Sequence, residues 1–456
     1  MDKRSFLKLS TAMLTGAALS PLSSCNAPKN ETNDVEVIKN WAGNITYSTG
    51  NISEPKNTDD VRDIILKTRK LRALGTRHCF NTIADSDAHL LSTRNLNTIG
   101  TIDPVSATIA VGGGIRYGDL CKTLNEKGFA IHNLASLPHI SVAGACATAT
   151  HGSGVTNGNL STALEEVEIV TGAGELTTFS KSVNPLEFAG VVVNLGSLGV
   201  VTKVKLRLLP SFSVRQWVYL ELPMKQLFNH FDEIMSSGYS VSLFTDWQTE
   251  NVNQVWVKKV ARENENSDVS PELFGAKLAD RDVHPIISVS AENCTPQMGV
   301  AGPWYERLPH FKLDFTPSSG EELQAEYFVP RQRAVEAIEA VAAHHKDELK
   351  SLLFISEIRT IAADDLWLST AYGRDSVAIH FTLKQDIQGV TQFLPRLEAT
   401  LKPFDARPHW GKQFAMAPSE LQSKYEKFSQ FRDLVAKYDP EGKFRNSFMD
   451  RILSAV

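Results

Sequence analysis

The chain has 456 residues, a length that corresponds to about two or three domains with ample room for a buried core. Hydrophobic residues make up 42% and charged residues 22%, a globular composition that excludes a disordered or collagen-like protein. The formal net charge is −5 and no basic stripe is present, which argues against a nucleic-acid partner.

The first residues have the organisation of an export signal rather than of a folded element. A positive start containing Lys3-Arg4 precedes a mostly apolar stretch, and Leu22-Ser23-Ser24-Cys25 is similar to a bacterial lipobox. We predict a lipoprotein signal peptide over residues 1–25 that ends at a lipidated Cys25, and a polar tether over residues 26–34. The protein is then extracytoplasmic and lipid-anchored to a bacterial membrane on its periplasmic side.

Two alternatives to this lipid anchor stay open, a soluble protein cleaved by the Sec pathway and an ordinary apolar start. Lys3-Arg4 also forms a weakened twin-arginine pattern, so the export route is open as well. No other segment has the ~20 apolar residues of a transmembrane helix, so membrane contact is expected only through the lipid.

A strand-to-glycine turn is the first chemical signal in the body of the chain. Residues 61–70 read as a helix and residues 71–74 as a strand, which ends at Gly75 and is followed by His78. Glycine lets backbone amides close around a phosphate because no Cβ blocks the approach. A histidine at the mouth of such a turn can contact what the phosphate carries, although an ordinary loop histidine is the simpler alternative.

A second loop rich in small residues occurs later in the chain. A strand over residues 108–111 ends at three glycines, and a helix is predicted from Tyr117 to about Lys127. The small residues then recur in residues 135–144 and 148–154. Two such loops suit a long, pyrophosphate-bearing cofactor better than a packed core.

The remaining elements predict an α+β chain with a break in its middle. Residues 167–171 and 175–179 form a predicted hairpin, and apolar residues alternate with basic ones up to Leu208. Pro210 ends this pattern, and we place a domain boundary there. In the second half we predict a surface loop over residues 263–285, strands over residues 252–260, 323–329, 352–359 and 376–383, and a helix that begins at Pro330.

Polar residues alternate with apolar ones on the last strands. Glu357 and Arg359 share a strand face, as do His380 with Thr382 and Gln324 with Glu326, because alternate residues of a strand point the same way. The opposite faces are apolar and are predicted to belong to a core; they carry Phe354 with Ile358, and Val377, Ile379 and Phe381. The polar faces suit a polyhydroxylated ligand. One alternative is that this polar face of the sheet is simply exposed to solvent, and another is that Lys412 is an ordinary surface lysine.

Cysteine and histidine spacing indicates no metal site. Besides Cys25, the cysteines are Cys79, Cys121, Cys146 and Cys294, which show no CxxC spacing and fit buried free thiols. His344 and His345 are adjacent on a predicted helix and point apart, and no HExxH pattern occurs.

Several longer motifs are similar to those of one enzyme family. They are Trp41-Ala42-Gly43-Asn44-Ile45-Thr46-Tyr47, Ala135-Ser136-Leu137-Pro138-His139-Ile140-Ser141, Thr150-His151-Gly152-Ser153-Gly154, Glu357-Ile358-Arg359-Thr360 and His409-Trp410-Gly411-Lys412. They resemble the bacterial alditol (xylitol/sorbitol) oxidases of the vanillyl-alcohol-oxidase flavoprotein superfamily, which includes the aldonolactone oxidases. The resemblance extends from about Lys39 to the C-terminus.

The resemblance implies an α+β architecture with an FAD-binding (PCMH-type) domain of two subdomains and a substrate cap domain built on a large antiparallel sheet. In this chain residues 35–210 would form the FAD-binding domain and residues 211–408 the cap. Residues 409–456 would return to the FAD-binding domain.

The resemblance also implies the roles of individual residues. FAD would be joined covalently through His78, and the other cofactor-binding residues would be Ala73, Leu74, Gly75, Thr76, Arg77, Cys79, Ser136, Ser141, Gly144, Thr148, Ala149, Thr150, His151 and Val201. The substrate-binding residues would be Ser136, Gln324, Glu357, Arg359, Thr382 and Lys412. His380, Lys412 and Arg359 would be catalytic, with His380 or Lys412 taking the hydroxyl proton.

The implied reaction oxidises the terminal primary alcohol of a small polyol, with hydride passing to FAD and electrons to molecular oxygen or another acceptor. An aldonolactone oxidase or dehydrogenase is one alternative, and a sugar-binding lipoprotein on an inactive flavoprotein scaffold is another. One departure concerns the turn, where Gly75-Thr76-Arg77-His78-Cys79 replaces the family's Gly-Ser-Gly-His-Ser. Arg77 has less backbone conformational freedom than the family's second glycine, although its charge could reach a pyrophosphate.

Overall fold

A small parallel sheet begins the fold in the computed structural model, which describes residues 37–262, 269–315 and 321–454. The predicted signal peptide, its Cys25 and the tether lie outside the described residues and stay predictions. The first elements are β1 (Ile52–Ser53), α1 (Thr58–Lys67), β2 (Arg72–Leu74) and β3 (Leu90–Ser92). β3 lies between β1 and β2 and is parallel to both. The predicted helix begins earlier than expected because the Asn57 side chain accepts a hydrogen bond from the Asp60 amide and caps α1.

A five-stranded antiparallel sheet follows. Its region contains β4 (Ile99–Asp103), β5 (Thr108–Gly112), α2 (Tyr117–Glu126), β6 (Phe129–Ala130), α3 (Val142–Ala147), β7 (Leu164–Val170), β8 (Leu176–Ser180), α4 (Pro185–Val192), β9 (Val200–Arg207) and β10 (Leu209–Pro210). The strand order is β4-β5-β9-β7-β8, so the predicted hairpin of β7 and β8 is confirmed. Val204 and Leu206 of β9 are buried, whereas Lys203 contacts Glu168 at 3.3 Å on the outer face.

A ten-stranded sheet forms most of the second half. Its region contains β11 (Ser213–Pro223), α5 (Met224–Asn229), α6 (Phe231–Met235), β12 (Ser240–Thr245), β13 (Asn251–Ala261), β14 (Glu272–Leu273), β15 (Ala276–Leu278), β16 (Gly302–Pro303), β17 (Glu322–Pro330), α7 (Ala334–Leu352), β18 (Leu353–Ile361), β19 (Ser376–Lys384), α8 (Ile387–Leu401) and β20 (Arg407–Pro408). The order is β14-β15-β11-β13-β12-β18-β19-β17-β20, with β16 beside β11, and the pairings are antiparallel. The predicted α+β class with a large antiparallel sheet is confirmed.

One face of this sheet is covered by helices. Ile338 and Val341 of α7 and Phe393 of α8 pack in one core cluster with Ile358 of β18 and Ile379 of β19. Because side chains alternate along a strand, the neighbouring residues of β17, β18 and β19 project to the opposite face. That face carries the predicted substrate-binding residues.

The C-terminal segment contains α9 (Pro418–Ser423), α10 (Phe428–Tyr438) and α11 (Ser447–Leu453). It packs on the first part of the chain: the Arg72 guanidinium donates to Phe444 O at 2.6 Å, and the Leu71 amide donates to Lys443 O at 2.9 Å. The domain boundaries at residues 210 and 408 stay predictions. Among the described residues, no helix combines the length and the apolar run that crossing a membrane requires.

Three local expectations were wrong. Phe354 is 38% exposed, because the register shifts between Leu353 and Ile355 and the bulged residue leaves the core face. The helix predicted from Pro330 begins as a 3-10 turn, and α7 itself starts at Ala334. Part of the predicted surface loop extends the ten-stranded sheet instead, because β15 pairs with β11.

The cysteine expectation agrees with the described residues. Cys121, Cys146 and Cys294 are buried free thiols, and Cys79 is a half-buried one. His345 is buried against Glu348 and Thr400, whereas its neighbour His344 is exposed, so the two histidines do point apart.

Candidate active site

A cavity of about 300 Å³ is lined both by the glycine-rich loops and by the polar face of β17, β18 and β19. Of the predicted site residues, Ala149 alone does not line the cavity; it is fully buried in the first core cluster. The predicted residues that do line it are Ala73, Leu74, Gly75, Thr76, Arg77, His78, Cys79, Ser136, Ser141, Gly144, Thr148, Thr150, His151, Val201, Gln324, Glu357, Arg359, His380, Thr382 and Lys412. A second cavity of about 350 Å³ is also lined by the turn from Gly75 to His78.

Ser141 lies close to the first glycine of the turn after β2. A Cβ on Gly75 would lie 2.7 Å from Ser141 Oγ, and a Cβ on Gly144 would lie 2.8 Å from the same atom. The Ser141 amide donates to Thr76 Oγ1 at 3.2 Å and links the two loops. Because neither glycine has a side chain, the two loops approach each other closely where they line the cavity.

Arg77 adopts the backbone conformation expected of the glycine that it replaces. Its φ is +65°, in the left-handed region that costs an L-residue roughly 1–2 kcal/mol. The Trp41 amide donates to Arg77 O at 2.8 Å and holds the peptide in place. The departure from the family pattern thus leaves strain in the turn rather than a different turn.

The imidazole ring of His78 lies at the end of this turn and has few polar neighbours. Its ring stacks on Trp41 with centroids 5.2 Å apart, and its Nδ1 is 3.1 Å from Thr76 Oγ1. The buried Nε2 has no hydrogen-bond partner among the described residues. Burial lowers the pKa of His78 to about 4, so the imidazole is neutral at pH 7.

Glu326 of β17 is the centre of a buried charge cluster. It is fully buried; Arg359 Nη2 donates to one of its oxygens at 2.9 Å and Lys412 Nζ to the other at 2.7 Å. His151 Nε2 is 3.3 Å away. Burial acts to raise the pKa of Glu326, but Lys412, His151 and Arg359 outweigh burial and hold that pKa well below its usual range.

Glu357 and Arg359 form the next part of the cluster. Glu357 Oε1 is 2.7 Å from His310 Nε2 and 3.5 Å from Arg359 Nε, and Arg359 Nη1 donates to Ser136 Oγ at 3.3 Å. Glu357 and Arg359 are each 5% exposed, which excludes the solvated sheet face. Burial acts to raise the pKa of Glu357, yet Arg359 and His310 keep it far below its usual range, so the carboxylate is ionised.

His380 on β19 has a defined tautomer. The side-chain N–H of Gln324 donates to Glu322 at 2.6 Å. The side-chain oxygen of Gln324 is 3.1 Å from His380 Nε2 and can only accept, so Nε2 must be the donor. The proton is then on Nε2, and the buried Nδ1 has a free lone pair with no partner among the described residues. Burial, followed by Lys412, lowers the pKa of His380 to about 3. Thr382 lies beside Gln324 in the strand register.

Sequence reasoning missed several residues that line the cavity. Glu326 was placed on the polar face but given no role, and His310 and Ile355 were not considered. The segment Asn194–Gly199 also contributes, with positive φ angles at Gly196 (+69°) and Gly199 (+150°). The spacing of these two glycines was an available signal. His310 lies outside the named strands and helices, so no periodicity could have indicated it.

Sequence comparison identifies relatives over nearly the whole described chain. The family model for an FAD binding domain matches residues 51–180, and the model for D-arabinono-1,4-lactone oxidase matches residues 319–452. An alditol oxidase from a Streptomyces species is 43% identical over 419 residues, which cover 91% of this chain and 99% of that protein. An L-gulono-1,4-lactone dehydrogenase from Mycobacterium tuberculosis is 24% identical, with coverage of 91% and 99%.

Solved structures agree on the fold. The cholesterol oxidase from B. sterolicum superimposes with a TM-score of 0.74 at 18% identity, covering 95% of this chain and all of that one. A solvent-stable cholesterol oxidase gives a TM-score of 0.76 at 16% identity, with coverage of 94% and 100%. Together with the FAD-binding match, these structures confirm the predicted PCMH-type FAD-binding fold with a large antiparallel sheet.

The residues present fit FAD on structural grounds. The two cavities share the Gly75–His78 turn as lining. Side chains are absent at Gly75 and Gly144, where a Cβ would collide with Ser141 Oγ. A neutral imidazole with an unpartnered ring nitrogen lies at the same turn. Thr76, Ser141 and Thr148 supply hydroxyls along the cavity, so the turn and the small-residue loops are the part of the chain that would hold FAD.

Proposed function

Because the chain belongs to the alditol oxidase family of FAD-dependent oxidoreductases, we propose that it oxidises the terminal primary alcohol of an open-chain sugar alcohol such as xylitol or sorbitol. The alcohol and molecular oxygen give the aldose and hydrogen peroxide. The observation that carries this proposal is the buried cluster of donors and acceptors on β17, β18 and β19, which lines the same cavity as the His78 turn.

Each polar group of the cluster has a distinct use in binding a polyol. Glu357 Oε2 accepts no hydrogen bond from the described residues, so it is available to a substrate hydroxyl. Thr382 and Ser136 present hydroxyls, and Gln324 fixes the orientation of His380. A buried polar group left without its partner costs about 1–3 kcal/mol, so a ligand that lacks the matching hydroxyl is rejected.

Proton removal from the reacting hydroxyl is assigned to His380. Bound FAD supplies the acceptor for the hydride of the carbinol carbon. Burial lowers the pKa of Lys412, but Glu326 accepts from its ammonium at 2.7 Å and acts to keep it protonated, whereas Nδ1 of His380 has a free lone pair. Lys412 and Arg359 instead place positive charge beside the oxygen that becomes negative as the proton leaves.

Oxygen uptake distinguishes the candidate substrates. We expect the purified protein to consume oxygen and form peroxide with xylitol or sorbitol. The match to the lactone oxidase model favours a second candidate, an aldonolactone oxidase or dehydrogenase. Turnover with gulono-1,4-lactone but no polyol would replace the alditol proposal, and turnover that needs an artificial acceptor would indicate a dehydrogenase. A colourless protein that cannot be reconstituted with FAD would favour an inactive sugar-binding scaffold.

We further propose that FAD is joined covalently to His78. The support is the unpartnered ring nitrogen of His78 and the stacking that fixes its ring. Bond formation removes one hydrogen from an isoalloxazine methyl group and one from the imidazole, and the two electrons leave to oxygen, the acceptor of the proposed reaction.

The variant His78→Ala is expected to fold and to bind FAD that acid releases. In the parent protein, yellow colour and flavin fluorescence are expected to stay with the polypeptide after acid precipitation, because the bond survives unfolding. His344→Ala, at an exposed helix position, is the matched control and is expected to retain the bound colour. Acid-stable colour in His78→Ala would place the linkage elsewhere.

A further inference from the structure

A buried lysine lies behind Glu357 with no carboxylate in direct contact. Lys258 of β13 is 1% exposed, and its Nζ contacts Leu308 O, Pro309 O at 3.1 Å and His310 Nδ1 at 3.1 Å. An ammonium has three donors and no acceptor, and these three contacts offer one acceptor for each N–H. A neutral amine would have two donors and would turn its lone pair towards an acceptor.

The protonation of His310 follows from its two neighbours. Glu357 is ionised and can only accept, so His310 Nε2, at 2.7 Å, must carry a proton. A second proton on Nδ1 would face the Lys258 ammonium, so Nδ1 must accept. The neutral Nε2–H tautomer is the arrangement in which all three groups are satisfied. Trp256 and Phe244 hold the imidazole plane through edge contacts, with centroids 5.1 Å and 5.4 Å away.

We propose that Lys258 and His310 are positioning residues that orient the Glu357 carboxylate towards the polyol. Lys258 donates to Nδ1 and holds the His310 imidazole in place, and Nε2 of His310 engages Oε1 of Glu357. The second oxygen, Oε2, is thereby directed to a substrate hydroxyl. This inference rests on the proposed alditol oxidation, and it assigns part of the substrate affinity to Lys258, which does not line the cavity and acts through His310.

The hydrogen-bonded series Lys258–His310–Glu357, called the relay below, is expected to weaken as pH rises. Burial lowers the pKa of Lys258 to about 7; Glu357 and Cys294 act to raise it, and Arg359 acts to lower it further. As pH rises through this pKa, the ammonium loses a proton and one of its three acceptors loses its donor. When Nδ1 of His310 loses the Lys258 donor, Nε2 still donates to the ionised Glu357, but the imidazole is held by one hydrogen bond fewer. The KM for the polyol is therefore expected to rise with pH, while kcat changes little.

The variant Lys258→Met tests this relay. We expect the KM for xylitol or sorbitol to rise at least about tenfold, kcat to stay within about threefold, and the rise of KM with pH to disappear. Lys259→Met is the matched control, because Lys259 is the next residue of the same strand and is exposed. The same KM and the same pH profile in Lys258→Met and the parent protein would overturn the proposal.

Substitutions of His310 decide the question if Lys258→Met does not fold. His310→Gln retains an N–H for Glu357 and an oxygen that can accept from Lys258, so its KM is expected within about fivefold of the parent. His310→Phe keeps the ring but removes the donor, and its KM is expected to rise at least about tenfold. Equal KM values in the two variants would contradict the relay.

A spectroscopic readout separates this inference from the proposed function. In protein labelled with [15N]histidine, His310 is expected as the neutral Nε2–H tautomer, and this signal should change with the Lys258 titration. If no polyol reduces the flavin of the parent protein, the proposed function fails while the tautomer can still be measured. If polyols do react but His310 carries its proton on Nδ1, the relay fails alone.

Discussion

Replacing Glu326 by glutamine is expected to lower the free energy of unfolding by about 3–5 kcal/mol, the usual cost of removing one partner from a buried ion pair. Lys412 then has no carboxylate within salt-bridge distance among the described residues, and Arg359 retains Glu357 alone. Glutamine keeps the shape of the side chain, so the loss reports on charge rather than on packing. Thermal or urea unfolding of both proteins measures it.

The same variant is expected to lose turnover. Lys412 and Arg359 are placed by the two oxygens of Glu326, and without this anion the ammonium loses the interaction that favours its charged form. Glu321→Gln is the matched control, because Glu321 immediately precedes the same strand and is exposed. Unfolding of Glu326→Gln at the same temperature and urea concentration as the control would show that the cluster contributes nothing to stability.

Glu326 has this effect because it joins separate parts of the chain. Lys412 follows β20, Arg359 is on β18, and His151 comes from a small-residue loop of the first half. The His409 amide also donates to Glu326 O at 2.9 Å, so the backbone of the same residue fixes the C-terminal loop. One anion thus contacts the sheet, a small-residue loop of the first half and Lys412.

The sequence was sufficient where local rules control the structure. The period of two placed Glu357 with Arg359 on one face of β18, and His380 with Thr382 on one face of β19, because the pleat leaves no other choice within a strand. The turn after β2 was also readable, since a short apolar strand runs into Gly75 and His78 follows three residues later. The identity of the cofactor and the roles of these residues came from the family resemblance.

The sequence was insufficient where tertiary contacts control the structure. The bulge after Leu353 moves Phe354 out to solvent and Ile355 into the cavity wall, and no pattern in a single strand reveals such an insertion. His310 reaches Glu357 from an irregular segment 47 residues earlier in the chain. Arg77 shows a third case, since the fold imposes a φ of +65° against the preference of its own side chain.

The second large effect is expected for His380→Asn, in which the rate of flavin reduction by the polyol falls about 10²–10⁴-fold. Nε2 of His380 is committed to Gln324, so Nδ1 is the nitrogen that takes the hydroxyl proton. Asparagine retains an oxygen that can accept a hydrogen bond but cannot hold the proton. Stopped-flow absorbance of the flavin measures the reductive step without interference from oxygen.

The pH dependence of the flavin reduction rate distinguishes a His380 that acts as the base from a His380 with only a structural role. The pKa of His380 is lowered to about 3, so the imidazole is neutral across the assay range and its lone pair stays available. In His380→Asn the proton must leave to hydroxide, and the residual rate is therefore expected to rise with pH. Lys412→Arg preserves the charge beside Glu326 and is expected to stay within about tenfold of the parent rate. If Lys412→Arg abolished reduction while His380→Asn remained fast and independent of pH, the lysine would be the base.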